Sequence, residues 1–85
     1  MEFEWDEAKS ARIKKERGAS FEELASAIHD GAVLDFLDHP TNPEQSFFVV
    51  LLNGEVWAVV TEERGNRVRM VTAYPNRKWR KKYGI

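Results

Sequence analysis

Apolar positions change their spacing along this chain, and the changes mark its elements. Phe3 and Trp5 alternate with Glu2 and Glu4, the period of a short strand. Asp6 then offers an N-cap for a helix reaching about Arg17, with Gly18 as its C′ residue. Its apolar positions are few, Ala8, Ala11 and Ile13, so it should hide only a narrow stripe. Lys14, Lys15 and Arg17 close it, where cations suit the helix dipole. Ser20-x-x-Glu23 is a capping box that opens a second helix. There Phe21, Leu24, Ala25 and Ile28 fall at i, i+3, i+4 and i+7, a clean helical face that Gly31 ends.

Beyond Gly31 the pattern turns to strands. Residues 33–37 read as a short one, and His39-Pro40-Thr41-Asn42-Pro43 forces a loop. Residues 46–52 form a strongly apolar strand. Asn53-Gly54 follows, the pair that a type I′ hairpin turn favours because both positions need positive φ. Residues 55–62 return as its partner, and 63–66 turn again. Over 67–74, Val68 and Met70 face one way and Arg67 and Arg69 the other. Pro75 ends that strand. Residues 76–83 read as a short basic helix with Trp79 and Tyr83 on one side. The order β-α-α-β-β-β-β-α predicts an α+β fold. An antiparallel β-meander sheet carries the two N-terminal helices on one face and ends in a short basic C-terminal helix. At 85 residues this is a single domain over 1–85, with a modest core.

Charge adds what periodicity does not. The net charge is −1, but all 14 acids lie in residues 1–63 beside five of the 13 bases, leaving −9 there. Residues 64–85 carry eight bases, Arg64, Arg67, Arg69, Arg77, Lys78, Arg80, Lys81 and Lys82, and no acid. A cationic end on a small domain is a binding surface for a polyanion. Tyr74, Trp79 and Tyr83 are interleaved with those bases, as where rings stack on unpaired bases while cations hold phosphates. The plain alternative is a solvated, solubilising face, with Trp79 at least packed inward. The acidic remainder fits a confined groove better than a broad coating surface.

Other chemistry is narrowed by what the chain contains. Without cysteine there is neither a disulfide framework nor a thiolate metal site. His29, near the end of the second helix, and His39, before Pro40, suit structural roles better than catalytic ones. No Ser-His-Asp arrangement, phosphate-cradling Gly loop or metal-ligand spacing stands out, which favours chemistry with no metal or other cofactor. An acidic N-terminus without a long apolar run predicts neither signal peptide nor membrane span, and a cytoplasmic protein.

The order of motifs carries a family likeness. Phe3-Glu4-Trp5-Asp6-x-x-Lys9, then Lys14-x-x-Arg17-Gly18-x-Ser20-Phe21-Glu22-Glu23, resembles the N-terminal signature of BrnT-type toxins. Thr72-Ala73-Tyr74-Pro75-Asn76-Arg77-Lys78, running on to Tyr83, resembles their C-terminal end. The pattern differs at Arg17, where the family usually has His, at Tyr74, where many members have Arg, and in a closing helix that lacks an acid. The resemblance implies a RelE-like fold and a ribonuclease toxin of a type II toxin–antitoxin pair that acts on RNA, with mRNA on the ribosome among the substrates it admits. It also implies a cognate antitoxin, a small ribbon-helix-helix DNA-binding protein through which operator DNA is reached. Cleavage without metal needs a base for the 2′-OH, cations for the phosphorane and an acid for the leaving 5′-oxygen. The expected catalytic residues are Arg69, Arg77 and Lys78 on the phosphate, with Tyr74 and Tyr83 as acid, base or stacking platform. Glu62 is a candidate base with a plain surface-strand alternative. The expected RNA-binding residues are Lys14, Lys15, Arg17, Arg67, Arg80, Lys81 and Lys82. A non-catalytic module that binds RNA or an acidic protein segment is the rival reading, and a small structural subunit completed by a partner is the plainest one.

Overall fold

The computed structural model describes residues 1–85 and has the predicted element order. The elements are β1 (Glu2–Glu4), α1 (Glu7–Arg17), α2 (Phe21–His29), β2 (Val33–Asp38), β3 (Gln45–Leu52), β4 (Glu55–Arg64), β5 (Arg67–Pro75) and α3 (Arg77–Lys82). The α+β class read from the pattern is therefore the observed one. One five-stranded sheet runs β1-β5-β4-β3-β2, antiparallel except where β1 joins β5 in parallel. No helix is long and apolar enough to cross a membrane.

Local chemistry explains the helices. Asp6 accepts the Lys9 N–H at the start of α1, and Gly18 ends it in the left-handed region at φ 101°. The capping box of α2 is complete, since Ser20 Oγ accepts from Glu23 N and Glu23 Oε1 from Ser20 N. Phe21 and Leu24 are fully buried, as their spacing predicts. In α1 the inward stripe differs from expectation. Ala8 and Ala11 are exposed, and Ser10 is buried beside Ile13. A serine can take that place because its Oγ accepts the otherwise unpaired Phe21 N–H at 2.9 Å.

The two sheet faces are filled unequally. On one, Ile13, Phe21 and Leu24 from the helices meet Phe48, Val50, Trp57, Val59, Met70 and Ala73 from the strands. On the other, Phe47, Ala58 and Val60 form a small cluster that Leu37, Val71 and Trp79 cover in part. Trp79 thus places α3 opposite α1 and α2. The β3–β4 hairpin turns at Asn53 (φ 53°) and Gly54 (φ 77°), as the Asn-Gly pair requires. A register shift lies between the Val60–Thr72 and Thr61–Met70 pairs, so Val71 is the extra residue of a bulge in β5.

Candidate nucleic-acid interface

The cationic end is built where β5 leaves the sheet. Asn76 turns the chain there. Its N–H donates to Val56 O at 2.8 Å, and its Oδ1 accepts the Lys78 N–H at 3.2 Å. Helix α3 then crosses the thinly covered face. Two side chains hold it. Trp79 meets the Phe47 ring edge to face at 5.7 Å, and the Tyr83 hydroxyl donates to Asp35 Oδ2 on β2 at 2.8 Å. With these turned inward, Arg77, Lys78, Arg80, Lys81 and Lys82 are all exposed. None forms a salt bridge, because the four in the molecule involve Lys14, Arg64, Arg67 and Arg69.

The end of α1 joins this region. β1 pairs β5 only over Arg67–Arg69, so the β5 edge beyond is open to other donors. Arg17 Nη1 takes it, donating to Ala73 O at 2.7 Å and Thr72 Oγ1 at 3.3 Å. Arg17 thereby stands beside Tyr74, which is 37% exposed and immediately precedes the turn into α3. Lys15 is exposed in the same last turn of α1, while Lys14 is matched by Glu23 at 2.7 Å.

At the other end of β5 the arginines are matched. Arg69 Nη1 lies 3.3 Å from Glu4 Oε2, Arg67 Nε 3.5 Å from Glu2 Oε2, and Arg64 Nη2 2.9 Å from Glu62 Oε2. The Glu62 carboxyl also accepts from Gln45 Nε2 at 2.8 Å. That bond, then the Arg64 bond and the Arg69 charge, hold Glu62 below the usual carboxylate range. Arg69 and Tyr74 share a sheet face but pair with Glu62 and Ala58 on β4. At the rise of a strand they stand about 13 Å apart, so one phosphate cannot touch both.

The structure therefore gathers Arg17, Tyr74, Arg77 and Lys78 at one end of β5. Arg80, Lys81 and Lys82 extend that charge across the sheet, and Arg67 and Arg69 lie at the far end among carboxylates. Tyr83 is engaged. Burial first, and then its bond to Asp35, raise its pKa above 10.0, while that same bond lowers the Asp35 pKa. His39 shapes its loop, as expected. Its Nδ1 accepts the Thr41 and Asn42 N–H groups at 3.2 and 3.0 Å, and its ring stacks on Phe47. His29 sits against Phe3 at 5.5 Å. Sequence reasoning missed two things: the reach of Arg17 to β5, and the carboxylates facing the β5 arginines. The second had a signal, because Glu2 and Glu4 repeat at the same spacing as Arg67 and Arg69.

An α+β domain with unmatched cations at one end of its sheet defines a class of small proteins equipped to hold an anionic partner. The chain belongs to the BrnT family, described as "Ribonuclease toxin, BrnT, of type II toxin-antitoxin system", whose sequence model matches residues 5–82. Membership implies a ribonuclease toxin with an antitoxin partner. No curated protein and no solved structure gives a significant match.

Proposed function

We propose that this protein is a metal-independent endoribonuclease of RelE-like architecture. It cuts RNA in the cytoplasm, with messenger RNA on the ribosome as the favoured substrate, and is neutralised by a ribbon-helix-helix antitoxin that also carries the pair to its operator. The observation behind this reading is that none of the five cations of α3 forms a salt bridge. Glu55 shares a hollow with Arg77 and Arg80, and Asp35 lies within the field of Lys82, but neither is paired with them. A phosphodiester therefore displaces no bonded carboxylate there.

The chemistry uses the substrate's own nucleophile. The 2′-OH loses its proton to a base, the 2′-oxygen bonds to phosphorus, and the bond to the 5′-oxygen breaks as that oxygen takes a proton. Arg77 and Arg17 are assigned to the charge on the phosphorane, with Lys78 as a point charge. Tyr74 is assigned to the leaving oxygen or to stacking on a base. Lys81, Lys82, Arg80 and Lys15 track the flanking backbone. Arg69 and Arg67 are assigned to a more distant stretch of RNA, and only where Glu4 and Glu2 give way.

One observation favours the rival binding module. Glu62 and Tyr83 are both committed to internal bonds, which leaves Tyr74 as the acid–base group among the cations. Ribosomal RNA supplying the missing proton transfer reconciles this with catalysis. The test is to incubate purified protein with RNA, alone and with programmed ribosomes, in the presence of EDTA. Cleavage abolished by Arg77→Ala supports the nuclease. RNA that is bound and stays intact in both settings leaves only the binding module.

A further inference from the structure

The helix-covered face of the sheet is not covered along its whole length. Its open end holds a hollow of about 420 Å³ between β2, the β2–β3 loop and β5. Phe48 and Val68 contribute to it, with Phe36, Pro43 and Met1 around them. Phe36 is 55% exposed and Met1 72% exposed, two of the five large apolar side chains open to solvent. Phe36 packs edge to face on Phe48 at 4.8 Å, so it stands as a fixed wall. Glu44 and Glu63 also line the hollow, no Lys or Arg does, and exposed Asp38 continues the face beyond Phe36. The carboxylates bonded in the Glu2, Glu4 and Glu62 array point to the other sheet face and leave this rim unmatched.

A seat walled by Phe36, Phe48 and Val68, with Ser46 and Thr61 also in its lining and acids at its rim, selects a segment with one or two bulky apolar side chains beside Lys or Arg and polar groups. It repels RNA, so it is unsuited to the substrate. We infer that this hollow is the docking seat for a basic, amphipathic segment of the antitoxin, separate from the cationic end assigned to RNA. This rests on the toxin reading above only for the identity of the partner. Inhibition from this seat works by placing the bulk of the partner beside the sheet, and leaves the cations of α3 uncovered by the segment itself. A second copy of this chain is the competing occupant, because the basic helix α3 also has the right charge.

The test uses the full-length protein and the antitoxin encoded beside it, with affinity measured by calorimetry at two salt concentrations. Phe36→Asp and the pair Glu44→Lys/Glu63→Lys alter exposed or rim positions, and circular dichroism melting confirms that each variant folds. The expected result is a loss of affinity of about tenfold or more for each. Wild-type affinity should fall as salt rises, and RNA cleavage by each variant should match wild type. Affinity within about twofold of wild type overturns the proposal. So does loss of affinity on charge reversal of Lys78, Arg80 and Lys81 instead, or concentration-dependent self-association that Phe36→Asp abolishes. Calorimetry does not depend on cleavage, so failure of the nuclease reading appears separately as intact RNA.

Discussion

Arg69 and Arg77 stand at the two ends of β5 in opposite electrostatic settings. Arg69 faces Glu4 at 3.3 Å beside the Glu62 carboxylate, while Arg77 is exposed and has no salt bridge. The first arginine helps to hold a three-residue edge strand in place. The second is free to meet an anion from outside. An arginine already matched by a carboxylate offers phosphate much less, because the new contact must replace an existing one. Counting cations along the chain overstates the surface proposed for RNA: salt bridges engage Lys14, Arg64, Arg67 and Arg69, and leave the α3 cations, Arg17 and Lys15 at the other end of β5.

The largest expected effect tests that contrast directly. Arg77→Ala/Lys78→Ala should lower RNA cleavage by about 100-fold or more, whereas Arg69→Ala should change it by less than about threefold. Rate measurements under single-turnover conditions decide this, and equal losses would erase the distinction between the two ends. Next comes the attachment of α3. Trp79→Ala removes its edge-to-face contact on Phe47, and should lower cleavage by about tenfold while costing about 1–2 kcal/mol of stability. Faster hydrogen exchange confined to α3 would mark the cause, and exchange unchanged there would refute it.

A gain of function sharpens the comparison further. Glu2→Gln/Glu4→Gln should free Arg67 and Arg69 and raise RNA affinity by about threefold. No gain would mean that the geometry of that end, and not its pairing, keeps RNA away. The smallest effect concerns pH. The folded Tyr83 pKa is raised, so its contribution is present below pH 10.0 and is lost as pH rises through the higher folded value. The folded Asp35 pKa is lowered, so its contribution is present above pH 3.8 and is lost as pH falls through the lower folded value. Tyr83→Phe should flatten the alkaline limb of a stability–pH curve, and an unchanged limb would show that the bond to Asp35 contributes nothing.

How much of this could be read beforehand varies by element. Helix α2 was legible but for one position, because its capping box and its apolar face lie within one turn of each other in sequence; Ala27 is buried where Ile28 was expected, and Ile28 is only partly covered. The Asn53-Gly54 hairpin and the alternation of β5 were legible for the same local reason. Helix α1 was harder. With few apolar residues its face is set by what it meets, and Ser10, bonded to Phe21 N, took the place expected of alanine. The side of the sheet that α3 occupies depends on Trp79 finding Phe47, and no local pattern encodes that contact. The cations of the candidate site were legible as residues. What separates Arg69 from Arg77 is a parallel pairing across most of the chain, with Glu4 next to Arg69, and Arg17 reaches β5 from a similar distance.

The central claim is that the unmatched cations at the α3 end, and not the matched ones, hold RNA. Its most direct measurement is the salt dependence of binding to a 2′-O-methyl RNA, which cannot be cut through its 2′ position. On a logarithmic plot the slope reports the number of phosphates neutralised, at about 0.7 per contact for a single strand. Removing Arg77 and Lys78 together should make the slope shallower by about 1.4, and removing Arg69 should leave it unchanged. A slope that stays at the wild-type value without Arg77 and Lys78, and falls without Arg69, would contradict the account.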